Sequence, residues 1–400
     1  MIKKDKNRSI LILIVFVYIS NIALKNLYSA EIVEIMKHFS GASKAKVSLA
    51  TTYYFLTYAA FQVVISAVAK KINIVKTLFV STLLSVAISA LIPLCNSLWQ
   101  VYIIFGTNGI LQSITWPGCF YVIGNYLPKK MHSKGNIWLA LGFAIAFVLD
   151  YALAAFFIKF FNWRYAFWFF DSLYLISIIV FYMMVSKSSP INEGEAEKTR
   201  KATVLKLSRV NYISIYVVSC MGCFIFGIVY YGILNWVTAF FHETFKISSA
   251  SSALISIIIP VAATAGPVLT TVLSEKKKFW FIAIFGTSLT AIISFIMAGV
   301  FQKNIVLSLV MIVVLLTFCR GTANMMGSLV LFRCQRFTDT TSMAANTNTF
   351  ASVGAAFGPL MVGAVIDNFG QSLSYLMISF LLMIVLLCVV IPYKRISIIN

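Results

Sequence analysis

Long apolar runs alternate with short polar connectors along the whole chain, and each run comes near the roughly 20 residues a helix needs to cross a ~30 Å hydrocarbon layer. Twelve such spans are read, at 9–36, 46–69, 74–94, 98–126, 136–160, 165–186, 211–240, 249–273, 279–300, 304–332, 341–366 and 373–392. The pattern predicts an all-α membrane protein of twelve transmembrane helices. The first run follows Met1-Ile2-Lys3-Lys4-Asp5-Lys6-Asn7-Arg8 and lacks a small-residue cleavage site. It also exceeds the length of a signal-peptide core, so it reads as a retained helix.

Composition agrees, with 60% hydrophobic and 11% charged residues and a mean hydropathy of +0.92, against about 45–50% and about 25% in soluble domains. No water-soluble core could hide that apolar surface. The charged residues set the topology. With a cytoplasmic N-terminus, 23 of the 32 Lys and Arg residues fall in inside segments. Seven fall outside, namely Lys37, Lys44, Lys46, Lys159, Arg164, Lys246 and Lys303. By the positive-inside rule this split places both termini in the cytoplasm of a multi-pass protein, expected in a bacterial cytoplasmic (inner) membrane. The net charge of +20 is then loop charge and implies lipid, not nucleic acid, as the neighbour. Seven cysteines are scattered, and the Cys220/Cys223 pair lies on an embedded helix without a second pair. No metal site or cofactor is implied.

The most polar internal stretch, Lys187 to Arg209, lies midway between the sixth and seventh spans. It predicts an N-terminal six-helix bundle at 1–186, a cytoplasmic linker at 187–210 and a C-terminal six-helix bundle at 211–400. A weak repeat supports the halves: Asn108-Gly109-x-x-Gln112 on the fourth span and Arg320-Gly321-x-x-Asn324 on its counterpart, the tenth. Gly142, Ala146, Asp150 and Ala154 recur at i+4 on span five, and Gly354, Gly358 and Pro359 lie on span eleven. Such small residues let backbones approach in lipid. Pro260 and Pro267 predict bends in span eight.

Gly109-Ile-Leu-Gln-Ser-Ile-Thr-Trp-Pro-Gly-Cys119, which contains Gln112, Trp116 and Pro117, resembles the fourth helix of the organophosphate:phosphate antiporter branch of the major facilitator superfamily. Asn162-Trp163-Arg164 and Tyr231-Gly-Ile-Leu-Asn-Trp236 also fit that branch. The resemblance implies two pseudo-symmetric six-helix bundles with a substrate site near the midplane. It also implies an arginine on helix one and another on helix seven, where this chain has Leu24 and Tyr230. The superfamily's loop signature meets Ser66 and Lys70 in its first copy, whereas the second copy keeps an acidic residue in Ser274-Glu275-Lys276.

Ionisable groups inside spans cost roughly 2.5–3.5 kcal/mol each at a helix centre, which directs attention to Lys25, Asp150 and Arg320. At 1.5 Å rise per residue they sit roughly 24, 21 and 18 Å from the cytoplasmic ends of their helices. Tyr18, Asn21, Lys25 and Tyr28 share one helical face. Arg320, Asn324 and Ser328 share another. Lys25 and Arg320 are the expected anion contacts, and a lysine snorkelling to water or an arginine latched to Asp150 are the plain alternatives. Asp150 is either a proton-coupling carboxylate or a static ion-pair partner. Tyr54, Tyr58, Gln62, Gln112, Trp116, Tyr231, Asn235, Asn346 and Asn348 form an expected neutral lining. Arg164 and Asp171 are expected to form a structural contact, and Glu31 and Glu34 to face water. Gly109, Pro117, Glu275, Gly354, Gly358 and Pro359 are assigned structural or gating roles.

Nucleotide-binding loops, metalloprotease signatures and Ser-His-Asp constellations are missing from the sequence, so an enzyme is not expected. The leading expectation is a monomeric secondary transporter for a small organic anion or zwitterionic metabolite, proton-coupled or exchanging. Drug or lipophilic-compound efflux and a non-transporting metabolite sensor of the same fold are the rivals. Substrate and bilayer are the only partners implied.

Overall fold

The computed structural model describes residues 2–68, 71–186, 188, 209–276, 279–330 and 341–391. Among them all regular structure is helical. Ten helices are long and apolar enough to cross a membrane. Two of the expected spans are outside that set: 46–69 corresponds to the 25-residue helix α3, Lys44–Val68, and 98–126 is divided. Lys70 and nearly all of the expected linker lie outside the described residues, as do the side chains of Ser66 and Glu275.

Proline chemistry explains the breaks. A helical proline lacks a donor, and its ring clashes with the carbonyl four residues earlier. Four residues before Pro117 is Ser113, where α5, Leu98–Gln112, gives way to α6, Thr115–Tyr126. The same offset from Pro260 reaches Ser256, the last residue of α10, Ser249–Ser256. From Pro267 it reaches Ala263, the last residue of α11, Ile258–Ala263, before α12, Ala265–Lys276. Both predicted bends in span eight are thus full interruptions. Helix starts carry side-chain caps: Asn73 accepts from the Lys76 amide, Asn162 from Arg164, and Asn304 from Val306 and Leu307.

The described chain forms two compact units. The first comprises residues 1–39, 56–202 and 249–257. It holds α1 (Ile2–Ala30), α2 (Ile32–His38), the second half of α3, α4 (Ile74–Ser89), α5, α6, α7 (His132–Phe160), α8 (Trp163–Val185) and α10. Here α1 packs on α6, α7 and α8, and α10 packs on α7. The buried Tyr174 hydroxyl of α8 is shared by the Asn21 amide at 3.1 Å, Thr82 at 3.2 Å and Thr115 at 3.3 Å.

The second unit comprises residues 40–55, 203–248 and 258–400. It includes α9 (Arg209–Phe245), α11, α12, α13 (Phe279–Val300), α14 (Ile305–Asn324), α15 (Thr341–Phe369) and α16 (Gln371–Val390). A π turn at Met325–Leu329 follows α14. The closest packing is α9 against α15. A Cβ on Gly354 or Gly358 would collide with the carbonyl oxygens of Phe224 and Ile228, so only glycine allows this approach. Trp236 locks the same seam by donating from Nε1 to the carbonyl of Pro359 at 2.9 Å.

Candidate functional site

In the first unit the half-buried Lys25 points its ammonium at the face of Tyr58, 5.9 Å from the ring centroid. That is within cation–π range. The Tyr58 hydroxyl accepts from Gln62 Nε2 at 3.0 Å. One turn of α3 therefore positions a phenol and an amide beside the lysine. The rest of the α1 stripe is used for packing. Asn21 bonds to Tyr174, Tyr28 sets its ring edge-on to Phe105 at 4.8 Å, and Tyr18 meets Trp116 at 5.3 Å. Gln112 is 2% exposed and donates to Ser85 at 3.0 Å, which itself donates to Asn108 at 2.9 Å. Asn21, Tyr28 and Gln112 thus serve bundle contacts in this structure.

In the second unit Arg320 lies with its guanidinium carbon 5.0 Å from the Tyr230 ring centroid. Tyr231 is edge-on to Tyr230 at 5.2 Å and contacts Phe55 at 4.9 Å. The Asn235 carboxamide oxygen accepts from Thr51 at 3.3 Å. Asn324 opens the π turn, a feature that shifts helical register and concentrates at functional sites. Gly321 is a close-packing position, since a Cβ there would stand 2.8 Å from the Gly266 carbonyl oxygen.

Three further assignments change. Arg164 donates from Nε to the Pro93 carbonyl at 2.8 Å and reaches the His38 ring at 3.1 Å. Asp171 is 3% exposed, and among the described residues its carboxyl oxygens have no hydrogen-bond partner. Glu34 pairs with Lys37 at 2.7 Å and accepts from Ser249, whereas Glu31 is 0% exposed and does not face water. Asp150 is also 0% exposed, and among the described residues its carboxyl oxygens have no hydrogen-bond partner. Of the two alternatives for Asp150, the static ion pair is not formed among the described residues. Gly109 is buried on α5, and Glu275 lies on α12.

Two positions acquire weight only from the structure. Tyr230 carries Arg320 on its ring, and Glu31 is enclosed near Asp150. Tyr230 was marked in sequence by the arginine it stands in for, while nothing in the local pattern around Glu31 signals burial. Among the described residues, no group of three His, Cys, Asp or Glu side chains is placed to hold a metal ion.

Apolar helices in two compact units, each bringing a half-buried cation onto a tyrosine ring, define a polytopic membrane protein of the transporter class. Residues 11–347 match the Major Facilitator Superfamily model, and the chain belongs to that family. A bacterial homolog of the human lysosomal transporter Spinster, solved in an inward-facing and unoccupied conformation, shares its fold. The TM-score is 0.73 over 98% of this chain and 97% of that one, at 13% identity. The nucleoside transporter NupG gives 0.71 over 96% and 99%, at 12% identity. No curated protein matches the chain in sequence.

Proposed function

We propose that the chain is a secondary transporter moving a small organic anion or zwitterionic metabolite by alternating access, with Lys25 and Arg320 taking its negative group. The observation that carries this reading is the seating of both intramembrane cations on tyrosine rings beside further hydroxyl and amide groups, Tyr58 and Gln62 for Lys25, Tyr231 for Arg320. A cation at mid-span is costly and is retained for function.

The fourth span resembles that of the organophosphate:phosphate antiporter branch. That branch carries arginines where this chain has Leu24 and Tyr230. Lys25 adjoins the first position in sequence, and Arg320 reaches the second from α14. The charge is present and its helix has changed. Arg320 offers paired N–H donors suited to carboxylate or phosphate, and Lys25 a compact charge. Tyr58, Gln62, Trp116, Tyr231, Asn235 and Asn324 supply neutral contacts. The halves at 1–186 and 211–400 act as the moving bodies of a monomer whose termini are cytoplasmic. A substrate that binds one arrangement of them better biases the exchange, driven by protons or a counter-substrate.

The test begins with a thermal-shift screen of purified protein against carboxylates, amino acids, nucleosides and phosphorylated sugars. Proteoliposome uptake of each hit follows. Losing a charged hydrogen bond worth about 1.5–3 kcal/mol predicts a roughly 10- to 100-fold weaker apparent affinity in Lys25→Ala and in Arg320→Ala. Unchanged uptake of every accepted substrate in both variants refutes the anion site.

A further inference from the structure

The first unit carries a groove that anion binding by Lys25 and Arg320 does not use. It encloses about 1100 Å³ and is lined on α1 between Asn7 and Ile19 and on α7 between Lys134 and Ile145, with Lys130 on the turn before α7. That volume exceeds the roughly 300–1,000 Å³ of pockets for drug-sized ligands. On α1 the lining stops at Ile19, about 9 Å along the axis from Lys25.

Helical spacing puts charge at one end of the groove and apolar surface along the rest. Arg8, Ile12, Phe16 and Ile19 share a face of α1, and Lys134, Trp138 and Ile145 share one of α7. Each row covers about 16.5 Å, close to half of a ~30 Å hydrocarbon layer. As odd-numbered spans, α1 and α7 run in the same direction. A Cβ on Gly142 would meet Ile19 at 3.2 Å and Val15 at 3.6 Å. Two turns back from that level lie Lys134 on α7 and Arg8 on α1, so the two cations stand abreast at the mouth. Ile12 is 67% exposed and Trp138 49%, so the apolar rows are open to the bilayer.

The third cation is set by a turn. Pro128 leads into a 3₁₀ turn at Lys129–Met131, closed by the Met131 amide donating to the Pro128 carbonyl at 2.8 Å. The His132 ring bonds the Leu127 carbonyl at 3.0 Å and ties the turn to the start of α7. Lys130 thereby stands one turn before Lys134. Arg8, Lys130 and Lys134 are exposed and, among the described residues, form no ion pair. Residues 6–30 and 121–149 contain no Asp or Glu, and the nearest acid along α1 is Asp5, before Arg8. The mouth therefore favours an anion.

A soluble anion would need only the mouth, and an uncharged apolar ligand only the rows. A ligand matching both is anionic at one end and apolar for one leaflet's depth. We infer that the groove seats one anionic phospholipid of the cytoplasmic leaflet, its phosphate held by Arg8, Lys130 and Lys134 and an acyl chain laid along Ile12, Phe16 and Trp138. Basic pockets between membrane helices on the cytoplasmic side suit anionic headgroups. The Arg8 guanidinium offers paired N–H donors to phosphate, and a tryptophan near the headgroups places its ring in the apolar layer. The lipid bridges the starts of α1 and α7. Which leaflet supplies it follows from the loop-charge orientation, and the site requires neither substrate nor transport.

Native mass spectrometry of the full chain in detergent, titrated with phosphatidylglycerol or phosphatidylcholine of equal chain length, measures the affinity for the first lipid bound. Wild type takes phosphatidylglycerol about tenfold more tightly or better, and the triple variant Arg8→Gln/Lys130→Gln/Lys134→Gln loses that preference. Lys71→Gln/Lys76→Gln, at exposed positions on another inside turn, keeps it. Ile12→Trp narrows the groove at an exposed position with every cation in place, and weakens phosphatidylglycerol as well. Equal affinity for the two lipids in wild type overturns the site. So does a control variant that loses as much as the triple variant, or an Ile12→Trp protein that binds like wild type. Displacement of the lipid by inorganic phosphate would assign the mouth to a soluble anion and overturn it too. A photoactivatable diazirine on the acyl chain of phosphatidylglycerol labels wild type within 12–19 or 138–145, and labelling only elsewhere overturns the placement without recourse to any variant. None of these readouts involves flux, so a failure of the anion site at Lys25 and Arg320 leaves them standing.

Discussion

Replacing Gly227 with alanine tests whether the α9–α15 seam holds the second unit together. A methyl built there stands 2.5 Å from the Ala351 carbonyl oxygen, 3.1 Å from the Ala355 amide nitrogen and 3.2 Å from the Gly354 Cα. Ordinary contact begins at 3.4 Å, so the helices must part by 3.4 − 2.5 = 0.9 Å at this point. All three obstacles are backbone, and no rotamer change relieves them. The movement opens the neighbouring Gly354 and Gly358 contacts and stretches the Trp236–Pro359 hydrogen bond. Overpacking of this kind costs about 1–3 kcal/mol, and in lipid no hydrophobic drive between helices offsets lost packing. Alanine regains about 0.5–1 kcal/mol of helix-interior propensity, leaving a net loss of about 1 kcal/mol between the middles of the two ranges. Gly124 on α6 and Gly299 on α13 have nothing within 4 Å of an added Cβ, so alanine there carries only the gain. Reversible unfolding of detergent-solubilised protein by added SDS, followed by tryptophan fluorescence, measures all three variants. A Gly227→Ala protein as stable as wild type, or control variants that lose as much, refutes the reasoning.

Two further replacements probe polar contacts in the interior. Tyr174→Phe withdraws the hydroxyl shared by Asn21, Thr82 and Thr115 and is expected to cost about 1–3 kcal/mol in the same assay. Tyr182→Phe, whose ring stacks on Phe79 at 4.0 Å, serves as the control and is expected to cost less. Trp236→Phe keeps the ring but leaves the Pro359 carbonyl without its donor. A loss of about 1–2 kcal/mol is expected, and an unchanged unfolding midpoint would show that the bond does not secure the seam.

The elements that were legible in the sequence are those whose cause is local. A proline acts on the carbonyl four residues back, so the interruptions at Ser256 and Ala263 have a local cause in Pro260 and Pro267, although the helix through Pro359 continues. Lys25, Asp150 and Arg320 stood out because lipid makes a mid-span charge rare whatever its neighbours. What the sequence could not show is which element covers a given helical face. The spacing of Tyr18, Asn21, Lys25 and Tyr28 correctly puts them on neighbouring turns. Asn21, however, finds its partner 153 residues away, and that partner turns a presumed cavity amide into a packing contact. Glu31 is the sharper case. Read along the chain it is the polar end of a span, three residues from a glutamate that does reach a lysine and a serine. Its side chain is nonetheless 0% exposed. A charge that lipid makes conspicuous was therefore found at once, whereas an acid buried at the end of its span was not.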